Sequence, residues 1–515
     1  MSPPVEVMEN SRVPFAQHYH QRTKYAPETI RAQAKPLDFT QQPQPYKVYG
    51  LGHEIDLKPH LEVTDAQNPW LRLSRLLIDS YGLTAKLVQV GGEPFYLRAA
   101  PSAGGLYPAE VYLVARGNSQ LEAGIYNYQA RTHSLWRYWE EHLWSELQAA
   151  CFWHPALETT QLALVVTAVF YRSAWRYQDR AYRRICLDSG HLLGNISLAG
   201  SLTDYRPHLI TSFADQALDK LLYLDSQQEG VMAVLPLADL LAVEQNLSHF
   251  MPALPAPAHT DYAKVPDGDL LMHFHRATEM DSDQDVHWQT RSPASPTPQP
   301  SPDKYDFPFC LKVSIKGEPI SWGEHLIGLE DTLMKRRSTR QFSGESITID
   351  ELSALLDFTY QPQHYRHQGL DPDPDYCDLS LLQTFVVVLG VSGLEEGCYY
   401  YAPASQELRQ IRFKHFRSQL HYLCLGQPLG RDAAAVVFHT ADLKAAIAQY
   451  GDRVYRYLHL DAGHLGQRLN LAATRIGVGV SGIAGFFDDQ VNEVLGIPLD
   501  EAVIYITTLG RPQPQ

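Results

Sequence analysis

Apolar residues recur at spacings of three and four along Leu71–Tyr81, Tyr182–Leu202, Ile349–Thr359 and Tyr455–Arg475. That spacing puts them on one face of a helix and predicts four amphipathic or buried helices. Glu110–Ala115, Ala163–Phe170, Gln383–Leu389, Ala434–His439 and Ala502–Thr508 are β-branched and aromatic runs bounded by Gly, Pro or charge. They predict strands. The pattern as a whole predicts an α+β fold of helical hairpins and antiparallel strands. The longest apolar runs, Leu162–Phe170 and Thr384–Val391, have the length of buried strands. They fall well short of the ~18 residues a membrane-spanning helix needs, so no membrane segment is expected. His273 and His275 alternate on what reads as an extended segment.

The chain also repeats itself. YQDRAYRRICLDSGHLLGNISLAGSL from Tyr177 and YGDRVYRYLHLDAGHLGQRLNLAATR from Tyr450 are identical at 12 of 26 positions, at an offset of 273. LEAGIYNY at 121–128 and LEEGCYYY at 394–401 share 5 of 8 residues at the same offset. One constant offset in two separated segments indicates two copies of one module. A weaker echo at another offset relates Tyr19–Thr23 to Phe274–Thr278. The expected boundaries are about 15–250 and 268–512, with a mobile Pro/Ser-rich insert at 292–303, SPASPTPQPSPD. Such a pair is expected to fold as an intrachain pseudo-dimer, with a further homodimer left open.

Composition narrows the function classes. A net charge of −15 over 515 residues disfavours a nucleic-acid binder. Six scattered cysteines without a CxxC read as reduced thiols of a cytoplasmic protein. No strand leads into GxGxxG, so a dinucleotide-binding Rossmann unit has no support.

Three segments carry candidate chemistry. Lys335-Arg336-Arg337-Ser338-Thr339-Arg340 packs three guanidiniums and two hydroxyls into five residues. Forked, charge-assisted donors suit a phosphate monoester; the same run also reads as a solvated basic helix end. Pro101-Ser102-Ala103-Gly104-Gly105-Leu106-Tyr107-Pro108 lets backbone approach a flat ligand, or is a turn before a strand. Residues 477–486, GVGVSGIAGF, offer exposed backbone again at Ala484 and Gly485. Arg511, in the terminal LGRP, reads as a phosphate partner or as a charged tail residue.

Together these segments resemble the nitroreductase-like FMN oxidoreductases, and among them the SagB/ThcOx-type dehydrogenases, which oxidise azolines to azoles in ribosomal peptide natural products. YHQRTKY at 19–25, QPQPYKVYG at 42–50, PSAGGLYPAEVYLV at 101–114, KRRSTRQF and the two DRxYR…LDxGH segments carry the likeness. It implies FMN at the interface of two intertwined modules, with a modified peptide or small molecule as substrate. Arg336, Arg337, Ser338, Arg340, Ala484, Gly485 and Arg511 would come from one copy and hold the phosphate side. Pro101, Ser102, Ala103, Gly104 and Gly105 would come from the other and face the flavin.

The second copy has Pro374-Asp375-Tyr376-Cys377-Asp378 in place of PSAGG. The first copy lacks RRSxR, and Leu209–Phe213 and Val234–Leu237 replace the glycine segment and LGRP. The losses are complementary, so one FMN per chain is expected. Asp375 and Asp378 are expected to repel a phosphate at the second site. The family's catalytic Lys-Tyr pair maps to Arg176-Tyr177 and Gln449-Tyr450, so Tyr177 and Arg176 are the catalytic candidates. The tyrosine is present twice and the lysine in neither copy. Asp188/His191 and Asp461/His464, three apart on matching helices, are expected to form structural hydrogen bonds between the helices; metal or catalytic roles stay open. Two other readings remain: a nitro- or quinone-type flavin reductase, and a flavin-free peptide-binding scaffold.

Overall fold

The computed structural model describes residues 12–30, 36–88, 94–282, 286–291 and 304–514. The expected insert at 292–303 lies outside them. Two seven-stranded sheets form the frame. The first has the order His53–Asp56, Ser134–Trp139, Gly124–Gln129, Ala109–Ala115, Leu162–Val169, Glu229–Asp239, Tyr205–Pro207. The second repeats that order with Lys312–Ser314, Glu407–Arg412, Gly397–Ala402, Gln383–Val388, Ala435–Asp442, Glu501–Gly510 and Gly479–Ile483. Neighbouring strands in both are antiparallel. The central strands are buried on both faces, which is why they read as unbroken apolar runs rather than alternating ones.

Two 22-residue helices, Ala181–Leu202 and Val454–Arg475, pack against each other between the sheets. Their contact is set by glycine. A Cβ on Gly190 would lie 2.2 Å from Leu460 O, and one on Gly463 would lie 2.3 Å from Leu187 O. Only hydrogen at these two Cα atoms lets the backbones approach so closely.

Charged residues tie the two halves together twice, in the same way. Arg180 and Arg183 bond Asp488, Thr23 O and Thr23 Oγ1. Arg453 and Arg456 bond Asp215, Thr278 O and Thr278 Oγ1. The amide of Tyr25 donates to Asp488, and that of Met280 to Asp215, both at 2.9 Å. The weaker echo between Tyr19–Thr23 and Phe274–Thr278 thus marks equivalent places in the fold. Every guanidinium in these clusters is buried, and each is matched by a carboxylate and neutral acceptors, as buried charge requires.

The expected helix and strand positions agree with the structure to within a few residues, with one exception. His273 and His275 lie on a helix, Leu270–Ala277, not on an extended segment. Leu270, Leu271 and Phe274 give that helix its buried face, and His275 joins it by bonding Tyr182 Oη at 2.9 Å. Among the described residues no helix is long and apolar enough to cross a membrane.

Candidate functional site

A cleft opens between the two halves beside the long helices. Pro101, Ser102, Ala103 and Gly104 line it from one side; Ser338, Arg340, Ser481, Gly482 and Ala484 line it from the other. Arg184, Asp188 and His191 of the first long helix form its floor with Asn470 and Tyr505.

The loop at Ser102 is held by Asp188. Ser102 Oγ donates to Asp188 at 2.6 Å and Ala103 N at 3.1 Å, while Tyr107 N donates back to Ser102 Oγ at 2.9 Å. Burial raises the Asp188 carboxyl to about 7, against the lowering effect of these donors and of Arg184. The expected bond across the helix pair is therefore not what Asp188 makes. Asp461 likewise accepts from Cys377 N and Asp378 N, each at 2.8 Å. His191 does cross the pair, bonding Gln467 Oε1 and Tyr505 Oη at 2.9 Å each. Burial lowers it to about 4, so it is neutral near pH 7.

Gly104 has φ +66°, and a Cβ there would sit 2.7 Å from Tyr177 Oη. The position needs glycine both for its backbone and for its space. Tyr177 is covered by Arg184, whose guanidinium lies 3.9 Å from the ring centroid. Burial raises the Tyr177 phenol above its ordinary value, so near neutral pH it donates a proton in hydrogen bonds. Gly105, also at φ +66°, faces away, against the Phe95 ring.

The arginines divide by role. Arg340 is exposed, lines the cleft and donates no hydrogen bond to a described residue. Arg336 is buried and reaches across to Ala99 O at 2.8 Å and Arg98 O at 3.2 Å. Its Nη1 is buried without a partner, and burial lowers the group to about 10. Arg337 donates to Thr84 O at 2.6 Å, so it stitches the halves together rather than lining the cleft. Arg511 pairs with Glu351 at 2.7 Å, also outside the cleft lining. Ala484 O accepts from Arg184 Nη2 at 3.1 Å, while Gly485 packs toward Leu425. Thr339 pins the arginine segment to the glycine segment: its N donates to Val480 O at 2.8 Å and its Oγ1 accepts from Val480 N at 2.9 Å.

The opposite, pseudo-equivalent place is filled. Asp375, the counterpart of Ser102, pairs with Arg206 at 3.0 Å and with Arg291, and also accepts from Leu209 N. Asp378 accepts from Ser380 N and from Tyr450 Oη, each at 3.0 Å. Asp375 is neutralised by Arg206 and Arg291, whereas Asp378 meets only neutral donors; the space is taken by this cluster.

Arg184 and Tyr25 escaped the sequence reading. Arg184 stands beside the repeated DRxYR residues, but nothing local says that it turns toward a cleft. The open cleft combines donors at Ser338 and Arg340 that meet no described partner with a glycine-lined wall; Arg336, whose buried Nη1 is orphaned, is not part of its lining. That donor set and wall fit a flat ring carrying a phosphate.

The chain belongs to the Nitroreductase family, whose sequence pattern matches residues 82–238 and 333–511. A crystal structure of an Anabaena variabilis protein assigned as a nitroreductase is 65% identical, covers 97% of this chain and 100% of its own, and superposes with a TM-score of 0.92. A Methanocaldococcus jannaschii protein assigned as a nitroreductase is 33% identical over 185 residues, 36% of this chain and 91% of that one. The trifolitoxin operon protein TfxC of Rhizobium leguminosarum bv. trifolii is 26% identical over 35% of this chain and 54% of its own length. The trifolitoxin-processing protein TfxF of the same organism is 25% identical over 30% and 57%.

Proposed function

We propose that this nitroreductase-family oxidoreductase is an FMN-dependent dehydrogenase of the SagB type that oxidises a modified peptide, with an azoline ring as the reacting group. Its two modules, about 15–250 and 268–512, would act as an intrachain pseudo-dimer with one FMN. The observation that carries the reading is the cleft with Ser102–Gly104 on one wall and Ser338 and Arg340 on the other. The trifolitoxin relatives support a peptide substrate.

Ser338 and Arg340 would hold the phosphate by charge-assisted hydrogen bonds. Ser102, Ala103 and Gly104 would lie against the ring, with Asp188 fixing the loop. When bound, FMN supplies two-electron chemistry, taking a hydride from the substrate. Tyr177 would orient the substrate as a donor. A guanidinium does not serve as a base in the way the family's lysine can, so Arg176 is not given that part. Six free cysteines, five of them buried, fit a reducing, cytoplasmic setting.

The test is reconstitution with FMN followed by anaerobic addition of an azoline-containing peptide. Bleaching of the bound flavin with formation of the azole supports the reading. A second reading, a nitro- or quinone-type reductase, rests on the assigned relatives. It predicts bleaching by a reduced nicotinamide and reoxidation by a nitroaromatic, with no response to the azoline. A protein that binds the peptide but no flavin would be a scaffold.

A further inference from the structure

Positive charge gathers at the Gly104 end of the cleft without a matching carboxylate. Arg176 is exposed, and no described residue gives it a hydrogen bond or an ion pair. Its Nη1 lies 3.5 Å from where a Cβ on Gly104 would stand, so the guanidinium flanks the cleft wall. Arg184 is buried and lines the same cleft, yet the carbonyls it bonds, Ala484 O at 3.1 Å and Arg180 O at 3.5 Å, are neutral. Both guanidiniums share one ring: their Cζ atoms lie 5.7 and 3.9 Å from the Tyr177 centroid. Asp188 is the neighbouring carboxyl, and Ser102 and Ala103 already occupy it.

Tyr25 completes the group. Burial alone would raise its phenol, but the charges of Arg184 and Arg180 outweigh that and lower it. The surroundings thus favour negative charge at this point.

Of these groups the filled side keeps only the tyrosine, as Tyr450. Gln449 stands for Arg176 and Tyr457 for Arg184 at the 273 offset, and Met280 for Tyr25 by its matching amide bond. Two like charges beside one ring repel each other, more strongly when water is excluded. An arrangement found beside the open cleft alone, with Asp188 near but neither guanidinium in an ion pair with a described residue, reads as half of an ion pair.

We propose that Arg176 and Arg184, with Tyr25 and Tyr177, form a carboxylate-binding pocket at the Gly104 end of the cleft, and that the substrate bears a carboxylate close to its reacting group. This rests on the reading above that Ser102–Gly104 face the ring. The carboxylate could be that of a small acid or of a peptide C-terminus.

Calorimetric titration of the FMN-reconstituted chain with benzoate against benzamide, and with N-acetylphenylalanine against its amide, tests it. At least one acid should bind about tenfold or more tightly than its amide, the scale of one charged hydrogen bond. Preference for benzoate alone assigns a small acid; preference for N-acetylphenylalanine assigns a C-terminus. Arg176→Gln, at an exposed side chain without partners among the described residues, should abolish the preference and leave flavin content unchanged; Arg184→Gln should abolish the preference too. Equal binding of acid and amide by the unaltered chain overturns the proposal. So does a preference that survives both substitutions, or loss of FMN from Arg176→Gln, which would make it a cofactor ligand. If the chain binds no FMN at all, the earlier reading fails, and the same titrations on the flavin-free chain still decide this one.

Discussion

Asp375 and Arg206 meet at 3.0 Å, each buried, where Ser102, the counterpart of Asp375 on the other side of the molecule, lines an open cleft instead. One side of the fold carries an opening, and its counterpart carries an ion-paired cluster with Arg291 as a third member. Removing one partner from such a cluster strands the others in a low-dielectric place. Asp375→Ala should therefore cost about 3–5 kcal/mol of stability, read by chemical denaturation. Flavin content should not change. A variant as stable as the unaltered chain would mean that the cluster holds nothing together.

The helix pair gives a second prediction. Replacing glycine by alanine inside a helix favours the helix by about 1 kcal/mol. At Gly190 the added Cβ would meet Leu460 O at 2.2 Å, backbone against backbone, with no flexible side chain to yield. Overpacking of this kind costs about 1–3 kcal/mol or more, so Gly190→Ala should lower the melting temperature. Alanine at the solvent-facing Gly477, which meets nothing within 4 Å, is the steric control, although its φ of +75° carries its own backbone strain.

The arginines separate by what they touch. Arg340→Ala should weaken FMN binding about tenfold or more, the scale of a charge-assisted hydrogen bond. Arg511→Ala should leave it unchanged, because Glu351 already holds that guanidinium outside the cleft. Fluorescence titration with FMN reads both, and equal effects would remove the distinction.

Asp188 sets a pH dependence. Its folded-state value of about 7 lies above the ordinary 3.8. Between those values the folded chain keeps a proton that the unfolded chain has released. Its contribution to stability therefore falls as pH rises from about 4 to about 7, and is constant above that. Asp188→Asn removes the effect while an amide oxygen still accepts from the Ser102 loop. The variant should gain on the unaltered chain as pH rises, so the difference in denaturation midpoint should be larger at pH 8 than at pH 5. An identical difference at both would contradict the assignment.

Much of the frame was legible in the sequence, because helices and strands announce themselves through local spacing. The helix expected at Leu71–Tyr81 runs Pro69–Tyr81, and that expected at Tyr182–Leu202 runs Ala181–Leu202. The repeat was legible for the same reason: like folds keep like residues at a fixed offset. His273 and His275 misled because two histidines one residue apart mimic strand alternation, while Leu270, Leu271 and Phe274 carry the helical stripe. The gathering of Ser102, Gly104, Ser338, Arg340 and Ala484 into one cleft followed from the family likeness. The partners of the charged residues were not legible. Arg206 finds Asp375, Arg183 finds Asp488 and Arg511 finds Glu351 across more than 150 residues of chain. No local pattern encodes which acid a distant arginine will meet. Arg184 and Tyr25 were missed on the same ground, since their role depends on which way a buried helix face turns.

The central claim is that one chain builds one flavin site. Flavin absorbance against protein mass, after reconstitution with excess FMN and removal of the unbound cofactor, tests it most directly. One FMN per chain is the expected result, and both Arg340→Ala and Gly104→Leu should reduce that single equivalent. A ratio of two would show that the cluster around Asp375 and Arg206 leaves room for a second flavin, and a ratio of zero would leave the cleft without its cofactor; either contradicts the account.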